Sequence, residues 1–275
     1  MRFDVISLFP DLIKNAFTYG VTGRALQNKK VILGTLNPRD FTTNFNGRID
    51  DRPYGGGPGM IMQAEPMISA IKEAKKNSDN PHTIFMSPQG KTFDQDKAME
   101  LSKAEHLIIV CGRYEGIDQR IIDTEIDEEC SVGEYILSGG EIPALVIMDS
   151  VSRIIEGVLG DPDSVLNDTF SDGLLKHPQY TRPESSKYGK VPKVLLSGDH
   201  ELIRKWQLKQ SLIKTKENRP DLLKDRALNV EEEGLLEEIM SEEKNKPHRT
   251  RPKQTPQATK NTEKERWGNI DLHPI

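Results

Sequence analysis

Cysteine is scarce in this chain: among 275 residues only Cys111 and Cys130 occur. Two thiols are too few for a disulfide framework or a cysteine-based zinc site, which points to a reducing compartment, the cytoplasm. Long apolar runs are missing as well. None approaches the ~20 residues a membrane-spanning helix needs, so no membrane association is expected. The opening MRFDVISLFPDL carries an acid inside its short apolar stretch and no small-residue cleavage site, and reads as a first strand rather than a secretion signal. There is no G-x-x-x-x-G-K-[ST] phosphate loop. The absence of G-x-G-x-x-G after the first strand disfavours a dinucleotide fold or a Rossmann-type methyltransferase, and the absence of G-x-S-x-G removes a hydrolase elbow. The six histidines are scattered without metal-ligand spacing.

An overall excess of positive charge is also lacking, the formal net charge being -5. That total hides a pattern. Residues 1–160 carry 17 Lys/Arg against 23 Asp/Glu, whereas residues 173–219 carry 11 against 4 and the segment from 241 onward eight against five. A basic block between acidic neighbours suits contact with a phosphate backbone; on charge alone an ordinary solvated face is an equal reading.

What is present is alternation. Short apolar stretches at 3–9, 31–36, 83–87 and 106–112 read as strands. Helical spacing of Met67, Ile68, Ile71 and Ala74 predicts a helix over 65–76, and a second is expected from about Glu141, with Pro143 in its first turn, to about Glu156. Strands alternating with helices predict an α/β fold around a mostly parallel sheet. Residues 157–172, rich in Gly, Pro, Asp, Ser and Asn, read as a linker or mobile loop. A helix capped by Ser197 or Asp199 is expected to run to about Glu217, with Leu202, Trp206 and Ile213 on an apolar inner side. On its outer side Lys205, Lys209 and Lys216 fall within roughly 40° of one another. Beyond about residue 241 almost nothing apolar occurs until Trp267, which predicts a disordered tail over 241–275.

Three glycine-bearing segments gather where ligands bind in open α/β sheets, beyond the carboxyl ends of strands: SPQG at 87–90, GRYEGID at 112–118 and VGEYILSGGEIPA at 132–144. Each alone reads as a tight turn; three together suggest a site, because glycine lets backbone groups approach a ligand. DDRPYGGGPGM at 50–60 has too many glycines and prolines for a simple turn and suits a flat or anionic partner.

With these segments in order, joined by the D-[ST]-F of Asp168–Phe170, HPQYTRP and SGDHELIRKWQLKQS, the chain resembles the bacterial tRNA (guanine-N1)-methyltransferases, the TrmD family of the SPOUT superfamily, from residue 1 to about 240. The resemblance implies a methyltransferase domain with a trefoil knot over 1–160, a mobile linker over 161–172 and a small α-helical tRNA-binding domain over 173–240. It also implies a homodimer with an active site shared between subunits, and S-adenosylmethionine bound in a bent shape. The implied cofactor pocket comprises Phe85, Met86, Ser87, Pro88, Gly112, Glu115, Val132, Gly133, Tyr135, Leu137, Gly139 and Gly140. Phe85 and Val132 depart conservatively from the tyrosine and isoleucine common there. Implied tRNA contacts are Arg24, Asp50, Arg52, the loop of Tyr54, Gly55, Gly56, Gly57, Pro58 and Gly59, then His177, Tyr180, Arg204, Lys205 and Lys209. The target implied is the guanosine at position 37, preceded by another guanosine, whose methylation supports reading-frame maintenance. A divalent cation, Mg2+, is implied without assignable ligands.

Guanine N1 carries a proton near neutral pH, so a base must remove it, and charge then develops toward O6. By resemblance the base is Asp168 and the cation is Arg153, with Glu115 also at the site. Read alone, Asp168 suits a cap or turn, Arg153 a structural ion pair and Glu115 a helix cap. Alternatives are another SPOUT enzyme with a different RNA target, a non-catalytic RNA-binding protein, or a small-molecule methyltransferase. The basic helix and the pairing of Asp168 with Arg153 favour a base-methylating enzyme.

Overall fold

The computed structural model describes residues 1–160, 168–170, 173–224 and 226–245. In chain order the elements are β1 (Arg2–Ile6), α1 (Pro10–Phe17), α2 (Gly20–Gln27), β2 (Ile32–Leu36), β3 (Asp50–Asp51), β4 (Ile61–Met62), α3 (Ala64–Lys75), β5 (Pro81–Thr92), α4 (Gln95–Leu101), β6 (His106–Cys111), α5 (Gln119–Glu125), β7 (Glu128–Ser131) and α6 (Glu141–Ile154). After them come β8 (Ser185–Ser186), β9 (Gly189–Lys190), α7 (His200–Asn218), α8 (Asp221–Lys224) and α9 (Val230–Asn245).

Five strands pair in the order β2-β1-β6-β5-β7, every neighbour parallel. All six residues of the central strand β6 are buried, as expected where helices cover both faces. Leu107, Ile109 and Cys111 point to one face, where they meet Ile13 and Phe17 of α1, Leu101 of α4 and Ile147 and Met148 of α6. Ile108 and Val110 point to the other, against Met67 and Ile71 of α3 and Ile121 of α5. A period of two along the strand is thus matched by two apolar layers.

The expected strands and helices form, with informative shifts. The first strand stops at Ile6 rather than residue 9, because Ser7 turns to donate its hydroxyl to Glu141 (2.8 Å) and Pro10 opens α1. β5 does not end at SPQG but resumes after it, its register slipping between Met86 and Lys91. β7 has no signal in the acidic stretch that encodes it. As an edge strand it buries only Cys130 and Ser131, while Glu128 pairs with Lys97 (2.7 Å) and hydrogen-bonds the His82 ring (2.9 Å).

Residues 173–245 hold a second small core of Leu174, Leu212, Leu235 and Ile239. Here two expectations are corrected. The fully buried side of α7 is Ser211, Leu212 and Thr215; Ile213 packs against this core as expected, but Leu202 is 53% exposed. The basic row is not wholly an outer one, because α9 lies along it: Arg204 pairs with Glu201 and Glu231, Lys209 with Glu238 (3.2 Å) and Glu242 (2.8 Å), and Lys216 with Glu243. Glu242, then Glu238, hold the Lys209 ammonium above its usual range. Only Lys205 of the expected row keeps an exposed side without an ion pair of this ladder. Solvent screens such surface pairs, so the ladder orients the two helices more than it stabilises them. α9 also runs to Asn245, past the expected start of the tail; the rest of that expectation, 246–275, lies outside the described residues, as do 161–167 and 171–172 of the linker.

Candidate active site

Beyond the carboxyl ends of β6 and β7, and beside residues 85–88 within β5, the glycine-bearing segments line a cavity of about 270 Å³. All twelve positions named above for the cofactor line it: Phe85 to Pro88 from β5, Gly112 and Glu115 from the loop after β6, and Val132, Gly133, Tyr135, Leu137, Gly139 and Gly140 from the loop after β7. Sequence reasoning missed Arg113, Tyr114, Ser131, Ile136 and Ser138, which line it too.

Glycine is required here by close approach. A Cβ on Gly140 would lie 2.7 Å from the Cys111 Cα and 3.1 Å from the Gly112 nitrogen, and Gly140 donates its N–H to the Gly112 carbonyl (3.0 Å). The start of α6 is therefore pressed onto the end of β6. A Cβ on Gly139 would meet the Arg113 guanidinium at 2.3 Å. Arg113 fixes this corner: it pairs with Glu141 (2.9 Å), donates to the Ser138 carbonyl (3.1 Å) and lies 4.5 Å over the Phe9 ring. Glu141 is buried and takes the Ser7 hydroxyl as well, so its charge is satisfied from two sides.

Two thiols stand beside the cavity. Burial pushes the Cys111 thiol well above its ordinary range, and burial with Glu128 nearby pushes Cys130 up to about 11. The thiolate is the reactive form. Iodoacetamide at neutral pH is therefore expected to leave both unmodified in the folded protein and to modify both after denaturation, read by mass spectrometry. Rapid labelling of either residue in the native state would contradict this burial.

The 54–59 loop reaches the rim. The Glu115 N–H donates to the Met60 carbonyl (3.0 Å) and the Met62 N–H to the Gly116 carbonyl (3.0 Å), and a Cβ on Gly59 would strike the Glu115 side chain. Gly55, Gly56, Gly57 and Gly59 all have positive φ, between 80° and 118°, a backbone only glycine adopts freely. Tyr54 is fully exposed, and Arg52 with the glycines lines a neighbouring hollow. Asp50 sits in β3, paired to Met62. Arg24 stands apart, exposed on α2, which packs beside α6 on the opposite face of the sheet.

Asp168 and Arg153 are brought together, with Arg153 Nη2 2.6 Å from Asp168 Oδ2. Lys176, which sequence reasoning did not single out, lies 3.4 Å from Asp168 Oδ1. The carboxylate opens on two cavities. One, of about 230 Å³, is shared with Gln95, Ser150 and Arg153, and the other, of about 490 Å³, with Lys176, His177 and Arg204. Tyr180 packs its ring 6.5 Å from that of Trp206. Neither of these cavities has a residue in common with the glycine-lined one.

Residues 1–225 match the model of the family described as tRNA (guanine-1)-methyltransferase TrmD. The chain belongs to that family. Proteins named tRNA (guanine-N(1)-)-methyltransferase are similar over nearly their whole length. That of Marinomonas sp. (strain MWYL1) is 52% identical over 242 residues, 88% of this chain and 97% of its own. That of Shewanella sediminis (strain HAW-EB3) is 53% identical over 241 residues, 87% of this chain and all of its own. That of Buchnera aphidicola subsp. Baizongia pistaciae (strain Bp) is 52% identical over 243 residues, 88% and 97% respectively. The TrmD family match spans every loop of the glycine-lined cavity as well as Asp168, Arg153 and Lys176, and ends before α9. Among the described residues no helix is long and apolar enough to cross a membrane.

Proposed function

We propose that this chain, an enzyme of the TrmD family, methylates guanine N1 at position 37 of tRNA from S-adenosylmethionine. The observation that carries the reading is the cavity lined by residues 85–88 of β5 and by the loops after β6 and β7, with Gly112, Gly133, Gly139 and Gly140 among its walls. Its apolar walls, Phe85, Met86, Val132 and Leu137, suit a flat base and the methylenes beside the sulfonium, while Ser87, Glu115 and the loop backbones suit the hydroxyls and polar ends. When bound, S-adenosylmethionine supplies a methyl group on a sulfonium: the N1 lone pair forms the new bond, and the sulfur keeps the electron pair of the old one.

Asp168 accepts the N1 proton. Arg153 holds its carboxylate and adds positive charge beside the developing anion. Within one chain the pair stands away from the cavity: Gly140 borders it at the start of α6, and Arg153 lies thirteen residues along the same helix, about 20 Å away at 1.5 Å per residue. Methyl transfer needs contact, so in this reading a second copy brings its Asp168 to the cavity. The outward apolar residues Phe9, which caps α1, Leu12 of α1 and Ile142 and Val146 of α6, with Ile136 of the cavity loop, form a surface for that copy. Knotting of the 85–144 loops, as in SPOUT proteins, belongs to the same reading, as does tRNA docking on the 50–59 loop and the 173–240 segment.

Among the described residues no group of three or more His, Cys, Asp or Glu is placed to hold an ion. The chain is tested by incubation with S-adenosylmethionine labelled in its methyl group and an unmodified tRNA transcript bearing G36-G37, followed by digestion to nucleosides. Label in 1-methylguanosine from position 37 is expected. Label in a ribose or in another base, or none, would overturn the reading.

A further inference from the structure

Helices α7 and α9 lie side by side, and the ion pairs between them form a ladder. Arg204 meets Glu231 through both terminal guanidinium nitrogens (3.0 and 2.7 Å), Lys209 meets Glu238 (3.2 Å) and Glu242 (2.8 Å), and Lys216 meets Glu243. From Arg204 to Lys216 the rungs span about 18 Å of helix at 1.5 Å per residue, the reach of several nucleotides. The two sides are opposite in charge. α9 carries seven Glu and one Lys, whereas residues 173–219, which include α7, carry 11 Lys/Arg against 4 Asp/Glu. Packing and charge hold α9 by separate faces. Leu235 and Ile239 are buried with Leu212 of α7 and with Leu174, while the carboxylates of Glu238, Glu242 and Glu243 stand about half exposed. Apolar burial therefore keeps α9 seated whether or not the rungs are closed. The rungs themselves are screened by water and free to open.

A carboxylate on a lysine occupies the place of a phosphate, since both offer anionic oxygens to the same N–H donors. Resting on the tRNA methylation proposed above, we propose that α9 is an anionic cover over a phosphate-binding face of α7, and that tRNA docks there by exchange. RNA phosphates take Lys209 and Lys216 from Glu238, Glu242 and Glu243, while α9 keeps its apolar seat. Only hydrogen bonds and ion pairs change hands, and both lysines stay charged. The exchange opposes the docking of any RNA on this face. α9 thus weakens phosphate-backbone affinity in general and leaves discrimination to contacts at the target base.

The experiment measures binding of an unmodified tRNA transcript by fluorescence anisotropy at one fixed salt concentration. The triple variant Glu238→Gln, Glu242→Gln, Glu243→Gln is expected to bind about 10-fold more tightly than the unaltered protein, as two cations become available to phosphates. With Lys209→Ala and Lys216→Ala also in place, the same three changes are expected to move affinity less than about 2-fold, because the cations they release are gone. Melting temperature reports the fold of each variant. Glu243→Gln alone, which releases only Lys216, is expected to tighten binding by roughly 2- to 3-fold and carries the test if the triple variant folds poorly. Unchanged binding overturns the proposal, and so does weaker binding, which would mean that the glutamates aim the cations at RNA. A gain that survives loss of both lysines overturns it as well, as an effect of overall charge. An unaltered protein that neither binds nor methylates the transcript overturns instead the function on which the proposal rests.

Discussion

Asp168→Asn is expected to lower the rate of methyl transfer by about 10² to 10⁴-fold, the usual worth of a positioned general base. The amide keeps the shape of the carboxylate but cannot take the N1 proton. Arg153, now 2.6 Å from an anionic oxygen, would face a neutral one, so some misalignment adds to the loss. Donor affinity should change little, because Asp168 does not line the cavity of its own chain and, in the shared site, the carboxylate brought by a second copy meets the target base rather than the donor. Single-turnover kinetics with saturating tRNA, paired with calorimetry of S-adenosylmethionine binding, measure the two quantities separately. A rate within a few-fold of the parent would put the base elsewhere.

The second large effect is expected at Gly140. From sequence alone the harm of Gly140→Val is a side chain occupying ligand space. The structure adds a second cause. The new Cβ would sit 2.7 Å from the Cys111 Cα, which is backbone and cannot swing aside as a flexible side chain would. The start of α6 would be levered off β6, breaking the bond from Gly140 to the Gly112 carbonyl and disturbing the Arg113–Glu141 corner. Overpacking of this kind costs about 1–3 kcal/mol, so loss of measurable donor binding should come with a lowered melting temperature. Unchanged donor affinity would remove this corner from the cofactor site.

Legibility in the sequence followed the physics of each segment. The central strands β1, β5 and β6 were readable because burial on both faces leaves a near-continuous apolar run, as in HLIIVC. β7 was not, since an edge strand that opens on the partly exposed Glu128 and Glu129 has no such run. The loops were legible through their glycines, and every residue expected around the cofactor lines one cavity. Arg113 was overlooked although it stands inside CGRYEGID: a charge between glycines has no periodicity to betray its partner, Glu141, which is distant in sequence. Lys176 was hidden for a similar reason, its meaning depending on how the chain after residue 173 returns to Asp168. The row of Lys205, Lys209 and Lys216 was correctly aligned on α7, but spacing says nothing of what lies opposite, and α9 brings glutamates to much of it.

The most direct measurement is subunit exchange between two inactive variants, Asp168→Asn and Gly140→Val. A mixed dimer holds one pocket with an intact donor site and, from its partner, an intact base. Random exchange makes about half of the dimers mixed, each with one working site of two, so activity near a quarter of the parent's is expected if the site is shared. If Asp168 served the cavity of its own chain, neither site of a mixed dimer would be complete. No recovery after exchange verified by mass spectrometry would contradict a site built from the glycine-lined cavity of one copy and the Asp168 of another.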